Sequence, residues 1–351
     1  MSSQESLITQ KMLSRPTLED LQKNENNEAE IEVWVQIQAI KENQTKNGKP
    51  YFDLEIADGS SRKTLKIWSD SSAFEFLQSA ENSSTVALKG KFSVNDYGLN
   101  VAQPSLRFLT LEECENLFAG SNETKQKSAA DWAFFRETFE NLAEPRLRAV
   151  TVLALNRYEK RWHRAAAARS HHHARRGGLL EHTSQMLRCA KALAPLYPEV
   201  TPDLLFAGVL FHDIGKLWEN DYEESGFTAP ISRLGEMVGH ISLGVEIVNS
   251  LWRECREQQP ELFADSEIVR EHLLHLIVSH HGLREYGSPI TPRTPEAWIL
   301  HHIDNIDAKI EMLRCAYVEK EELAPGVFDV RRPLEGYAIA PLSTVLNKSA
   351  E

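Results

Sequence analysis

The sequence predicts a multidomain fold, a small all-β barrel followed by an all-α domain, and three observations carry that prediction. The chain has 351 residues, beyond the roughly 250–300 residues at which a single hydrophobic core stops growing. Residues 31–109 alternate apolar and polar side chains at period two over much of their length. From about residue 130 to residue 317 the apolar positions recur instead at helical spacing.

The strand pattern is clearest in Glu32-Val33-Trp34-Val35-Gln36-Ile37-Gln38. Residues 51–57 and 64–68 follow, separated by the turn signal Asp58-Gly59-Ser60, and residues 86–94 join 99–102 through Asn95-Asp96-Tyr97-Gly98. A short helix candidate, residues 72–80, lies between the third and fourth strands. Five strands with a helix in that place is the order of an OB-fold, a small barrel that often binds single-stranded nucleic acid. Lysines at 46, 49, 63, 66, 89 and 91 stand among Tyr51, Phe52, Trp68 and Phe92, the mixture of cation and ring that a stacking groove uses. Lys49, Tyr51, Phe52 and Trp68 are the candidate substrate contacts. The plainer alternative is that the rings fill the barrel core and the lysines solvate its edges.

The predicted organisation is therefore a flexible segment (1–28), an OB-fold nucleic-acid-binding domain (29–112), a polar linker (113–130), an all-α domain (131–338) and a frayed C-terminal tail (339–351). Hydrophobic residues make up 42% and charged residues 26%, which describes a globular chain. The longest apolar run, residues 204–211, is far shorter than the roughly 20 residues that span a bilayer, so no membrane is expected. Residues 1–27 carry no apolar h-region, and a cytoplasmic address follows. Cys114, Cys189, Cys255 and Cys315 form no C-x-x-C pair, which argues for reduced thiols over a zinc ribbon or redox motif. The net charge is −12, yet residues 31–110 hold nine basic and nine acidic residues, so the excess lies outside the barrel. Acidity does not exclude a polyanionic substrate, because bound cations set the field where a phosphate sits. No P-loop, G-x-G-x-x-G, H-E-x-x-H or G-x-S-x-G is present, and ATP-driven, dinucleotide-dependent and serine-hydrolase functions gain no support.

The helical half carries the chemistry. His182, His212-Asp213, His240, His280-His281 and Asp304 occur in that order. Imidazole and carboxylate together suit Mn, Fe, Ni, Co or Zn, and a carboxylate can bridge two ions. An isolated histidine on a helix is ordinarily a hydrogen-bonded surface or core residue. Here, however, residues 206–211 drive His212-Asp213 out of a wholly apolar helix, and burying that pair without partners would cost several kcal/mol. A metal removes the difficulty. Lys216, one turn further on, can meet a nonbridging phosphate oxygen as charge grows, or can be simply a helix-terminal charge.

His182, His212-Asp213-Ile214-Gly215-Lys216 and Asp304 resemble the H…HD…D signature of the HD superfamily of metal-dependent phosphohydrolases. Gly177-Gly178-Leu179-Leu180-Glu181-His182, Gly235-Glu236-Met237-Val238-Gly239-His240-Ile241, Ser279-His280-His281-Gly282 and Asp304-Asn305-Ile306-Asp307-Ala308-Lys309 narrow the likeness to the YhaM-type 3′-to-5′ exoribonucleases, which join an OB-fold to an HD domain. The resemblance covers residues 31–312. It departs at Arg175-Arg176, more basic than that pattern.

The resemblance implies one divalent ion on His182, His212, Asp213 and Asp304, and a second on Asp213, His240, His280 and His281. Mn²⁺ heads the candidates, with Mg, Co, Fe, Ni and Zn behind it. Asp213 and Lys216 are the candidate catalytic residues; His173, Arg175 and Arg176 either touch the substrate backbone or belong to a solvated loop of three histidines and two arginines. The expected substrate is single-stranded RNA, with single-stranded DNA as a second acceptor, released as nucleoside monophosphates; a homo-oligomer is also plausible from the family. Two other functions stay open: hydrolysis of a small nucleotide or cyclic dinucleotide, and nucleic-acid binding by the barrel with a catalytically silent HD domain. Asp307 and Lys309 are expected to support the site without ligating. His272 and His275 are taken as structural, and His163, His301 and His302 as mainly packing residues.

Overall fold

The computed structural model describes residues 16–23, 29–95, 98–120, 122–167, 176–220, 226–227, 232–319, 322–330 and 334–342. The chain divides into two compact units, residues 1–127 with 223–229, and residues 128–222 with 230–351.

The first unit begins with helix α1 (Leu18–Lys23). Its Leu18 and Leu21 are buried in the barrel core, and the Leu18 amide donates to Asp58 Oδ2 at 2.7 Å. Part of the segment predicted to be flexible is therefore docked helix; two leucines three residues apart are too short a pattern to announce it. Strands β1 (Ile31–Gln44), β2 (Pro50–Ala57), β3 (Arg62–Trp68), β4 (Thr85–Asn95) and β5 (Gly98–Phe108) form one antiparallel sheet in the order β3-β2-β1-β4-β5. Helix α2 (Ser72–Leu77) lies between β3 and β4 and buries Ala73, Phe74 and Leu77. β1 serves two partners: Ile31–Gln36 pair with β4, and Gln36–Gln44 pair with β2 with a register shift between Ile37 and Ala39. Such a bulge bends one strand into both halves of a curled sheet. Element order agrees with the sequence prediction. The hydrogen-bonded ring stays open, with β3 and β5 as the two edges, and Pro104 sits in β5, where an edge strand tolerates a missing donor.

Where the sequence predicts a linker over 113–130, most of the chain is helical. α3 (Leu111–Ala119) starts in a capping box, with Thr110 Oγ1 accepting from the Glu113 amide and Glu113 accepting from the Thr110 amide. α4 (Asn122–Glu140) follows after Gly120. Polar composition hid α3 and the start of α4; the part of α4 beyond residue 130 lies where helical spacing was read.

The second unit packs α5 (Pro145–Trp162), α6 (Gly178–Leu193), α7 (Pro202–Phe211), α9 (Arg233–Gln258), α10 (Glu267–Ser279) and α11 (Pro295–Glu319) around one core, with the single turn α8 (Lys216–Glu219) between α7 and α9. α7 is apolar on nearly every side because it is surrounded by α5, α6, α10 and α11. α9 breaks at Gly239, whose φ of 72° and ψ of 157° lie outside the helical region and suit a residue without Cβ. Past α11 the domain is not all-α: β6 (Glu322–Ala324), β7 (Val327–Asp329) and β8 (Tyr337–Ile339) form a three-stranded meander. Three-residue strands carry too little alternation to be read from sequence. No helix among the described residues is long and apolar enough to cross a membrane.

Candidate metal centre

Five helices or their ends bring the predicted ligands together within the second unit. His182 lies in the second turn of α6, which follows Gly177 in the left-handed region at φ 74°. His212-Asp213 end the buried helix α7. The break at Gly239 lets His240 open the long second part of α9. His280 and His281 leave the end of α10, and Asp304 and Asp307 sit one turn apart on α11. His182, His212, Asp213 and His280 are all but fully buried.

Asp213 occupies the middle. Its Oδ2 lies 3.2 Å from His212 Nε2, 4.0 Å from His182 Nε2 and 2.6 Å from Lys216 Nζ. Its Oδ1 faces the other way, 3.4 Å from His240 Nε2 and 3.6 Å from His280 Nε2. Asp304 Oδ1 is 3.3 Å from His182 Nε2. Two groups with metal-ligand spacing result, His182–His212–Asp213 and His240–His280–His281. Lys216 thus rests on Asp213, and burial is offset by that carboxylate so that its pKa rises.

Five imidazoles have their Nδ1 committed elsewhere. His212, His280 and His281 each face a backbone carbonyl through Nδ1, those of Val209, Ile277 and Tyr286, at 2.8, 2.7 and 2.7 Å. His182 Nδ1 meets Asp307 Oδ2 at 2.7 Å, and His240 Nδ1 meets Glu219 Oε1 at 3.2 Å. A carbonyl or carboxylate oxygen can only accept, so Nδ1 carries the proton in all five; this leaves Nε2 of His212, His240, His280 and His281 to present a lone pair, while His182 Nε2 faces Asp304 Oδ1. Nε2 of His212, His240 and His280, and Oδ1 of Asp213, are buried without a hydrogen-bond partner among the described residues. Orphaned lone pairs gathered on both sides of Asp213, each costing desolvation, are what divalent cations require; the donor set fits the metal that the resemblance implies.

The electrostatics agree. Burial works against ionised Asp213, yet Lys216 and His212 hold its carboxyl far below the ordinary range. Asp304 is lowered as well, with His182 outweighing burial. Burial opposes the charged form of His182, but hydrogen bonds to Asp304 and Asp307 raise its pKa to about 9. His280 is pushed down to about 3, chiefly by burial, and burial also lowers His163, His275 and His281.

These shifts fix a stability profile for metal-free protein. The unfolded chain takes up protons on the four lowered histidines near pH 6.5, the folded chain refuses them, and stability falls as pH drops below about 6.5. The contribution of His182 is complete below that pH and is lost as pH rises through about 9. Melting temperatures of metal-free protein from pH 5 to 10 are expected to peak between these limits; a continuous rise toward pH 5 would contradict the assignment.

The remaining predicted residues separate cleanly. In the first unit, Tyr51 and Trp68 are cross-strand partners with ring centroids 5.2 Å apart. Lys66 lies over the Tyr51 ring at 5.3 Å and Lys49 over Trp68 at 5.8 Å, while Lys49 also pairs with Asp70 at 3.0 Å. Phe52 points to the opposite face, buried and stacked on Phe74 at 4.5 Å, so it packs the core and offers no face to a base. In the second unit Arg176 has its pKa pushed down to about 10 by burial and by Arg164; His173 and Arg175 lie outside the described residues. His275 accepts the Arg293 amide at 3.0 Å, in keeping with a structural role. His301 Nδ1 donates to the His280 carbonyl at 2.9 Å and so braces the site from α11. Glu219 escaped the sequence reading, although an acid three residues past Lys216 on the same short helix was a usable signal.

Residues 179–309 match the family model of the HD domain, and with the His–Asp cluster this defines the class: an HD-domain metal-dependent phosphohydrolase. The chain is 31% identical to the 3′-5′ exoribonuclease YhaM of Oceanobacillus iheyensis over 293 residues, covering 82% of this chain and 86% of that protein. It is 30% identical to YhaM of Geobacillus sp., with 86% and 88% covered, and 31% identical to YhaM of Bacillus subtilis, with 86% and 91% covered. The chain belongs to the YhaM family of 3′-5′ exoribonucleases.

Proposed function

We propose that this protein is a two-ion exoribonuclease that removes nucleoside monophosphates from the 3′ end of single-stranded RNA. The observation that carries it is Asp213, whose two carboxylate oxygens face two separate groups of histidine Nε2 atoms. His182, His212, Asp213 and Asp304 would hold one ion, and Asp213, His240, His280 and His281 the other. Such a pair, when bound, supplies positive charge against the phosphodiester and a water acidified toward neutrality. The chain's own part is to exclude bulk water through buried α6 and α7, and to present Nε2 of His212 and His280 by committing their Nδ1 atoms to backbone carbonyls. Lys216 holds Asp213 ionised and is close enough to meet a phosphate oxygen.

On the barrel, Tyr51 and Trp68 with Lys49 and Lys66 form a ring-and-cation surface suited to successive bases of any sequence. Single-stranded DNA is a second candidate, because this surface offers no reader of the 2′-hydroxyl to reject it. Mn²⁺ is the preferred ion, and a cytoplasmic homo-oligomer is the expected form.

The test is a 5′-labelled RNA oligonucleotide incubated with Mn²⁺. A ladder shortening from the 3′ end, with monophosphate products, supports the proposal. Turnover of mononucleotides or cyclic dinucleotides without oligonucleotide turnover would replace it with the small-nucleotide function, and strand binding without hydrolysis under any cation with the silent-domain one. In the same assay, Tyr51→Ala combined with Trp68→Ala is expected to raise KM for a long oligonucleotide about tenfold or more, from the loss of 1–3 kcal/mol per stacked base. Its kcat on a dinucleotide should stay unchanged; an unaltered KM would remove the barrel from substrate binding.

A further inference from the structure

Two of the five committed imidazoles differ from the rest. His212, His280 and His281 are held by backbone carbonyls, which no substitution can remove. His182 and His240, one in each ligand group, are held by side-chain carboxylates, Asp307 and Glu219. Asp307 is buried on α11, one turn past Asp304. Glu219 ends the turn that follows the HD pair, and its carboxyl is lowered despite burial because His240 and Lys216 face it.

We propose that Asp307 and Glu219 are positioning residues, each setting the ion affinity of its own end of the site. A carboxylate on Nδ1 fixes the ring orientation and makes Nε2 a stronger donor, as a neutral carbonyl does less well. Charge points the same way. Asp213, Asp304, Asp307 and Glu219 set four carboxylates against Lys216, a local excess of three negative charges in a buried place. Two divalent ions turn that into one positive charge, enough for a phosphodiester, whereas a single ion would leave the site negative. The two outer carboxylates therefore favour full loading as well as geometry.

This inference rests on the two-ion reading, and the experiment separates the two. Asp307→Asn and Glu219→Gln keep side-chain shape; each is made in the wild-type, His182→Ala and His240→Ala proteins. Mn²⁺ is counted by equilibrium dialysis, folding is followed by thermal melting, and the imidazole N–H signals are recorded by NMR on metal-free protein. Asp307→Asn is expected to weaken the ion that remains in His240→Ala protein about 10–100-fold and to leave the ion that remains in His182→Ala protein within about twofold. Glu219→Gln should do the reverse. In metal-free protein, Asp307→Asn should move only the His182 Nδ1–H signal out of its downfield position, and Glu219→Gln only that of His240. Equal weakening on both backgrounds, or none, overturns the proposal. If wild-type protein holds one ion, the two-ion reading falls, and the NMR signals together with the affinity of that ion still decide the positioning roles.

Discussion

Asp213→Asn protein is expected to bind neither ion tightly and to hydrolyse RNA at least about 1,000-fold more slowly than wild type. Asp213 is the only described carboxylate that faces both histidine groups, with Oδ2 toward His182 and His212 and Oδ1 toward His240 and His280. A neutral amide keeps the volume and can still accept from Lys216, but offers one oxygen and no charge. Metal assistance is worth several kcal/mol of transition-state stabilisation, and about 4 kcal/mol corresponds to about 1,000-fold. The folded state provides an internal check. Mn²⁺ should raise the melting temperature of wild-type protein, as any ligand of the native state does, and should leave that of Asp213→Asn almost unmoved. Hydrolysis near the wild-type rate in this variant would remove the metal-bridging role.

The HD pair was legible because α7 is apolar on nearly every side, and an acid and an imidazole at the end of such a helix have no cheap structural use. The break before His240 was not read from the sequence; it falls at Gly239, whose backbone leaves the helical region. Strand order in the barrel followed from period-two segments and turn residues, but the same period could not decide which face is inside: Tyr51 and Phe52 are neighbours on opposite faces, and only packing on Phe74 assigns Phe52 to the core. Helix α1 and the β6–β8 meander are too short for any periodic signal. Asp307 was expected beside the site and Glu219 was overlooked; which Nδ1 each meets, 125 and 21 positions away, is set by how the helices cross.

That crossing depends on two glycines, and Gly215→Ala should lower stability by roughly 2–3 kcal/mol, or about 5–10 °C in melting temperature. A Cβ at 215 would stand 1.9 Å from the His240 carbonyl oxygen, and one at Gly235 would stand 2.0 Å from that of Glu219. α8 and α9 therefore touch backbone to backbone at both points, which brings His240 beside Glu219 and within 3.4 Å of Asp213. Gly215 itself has φ −61° and ψ −24°, where alanine would ordinarily stabilise by about 0.4–1 kcal/mol through the unfolded chain. The sign is reversed here because backbone, unlike a flexible side chain, cannot swing aside, and α9 must retreat by more than about 1 Å before ordinary contact is restored. A displacement of that size at a reacting centre costs about 100-fold in rate, so exonuclease activity should fall with the His240-end ion while the ion at the His182 end stays bound. Wild-type melting together with wild-type activity in Gly215→Ala protein would show that this contact neither packs α9 nor places His240.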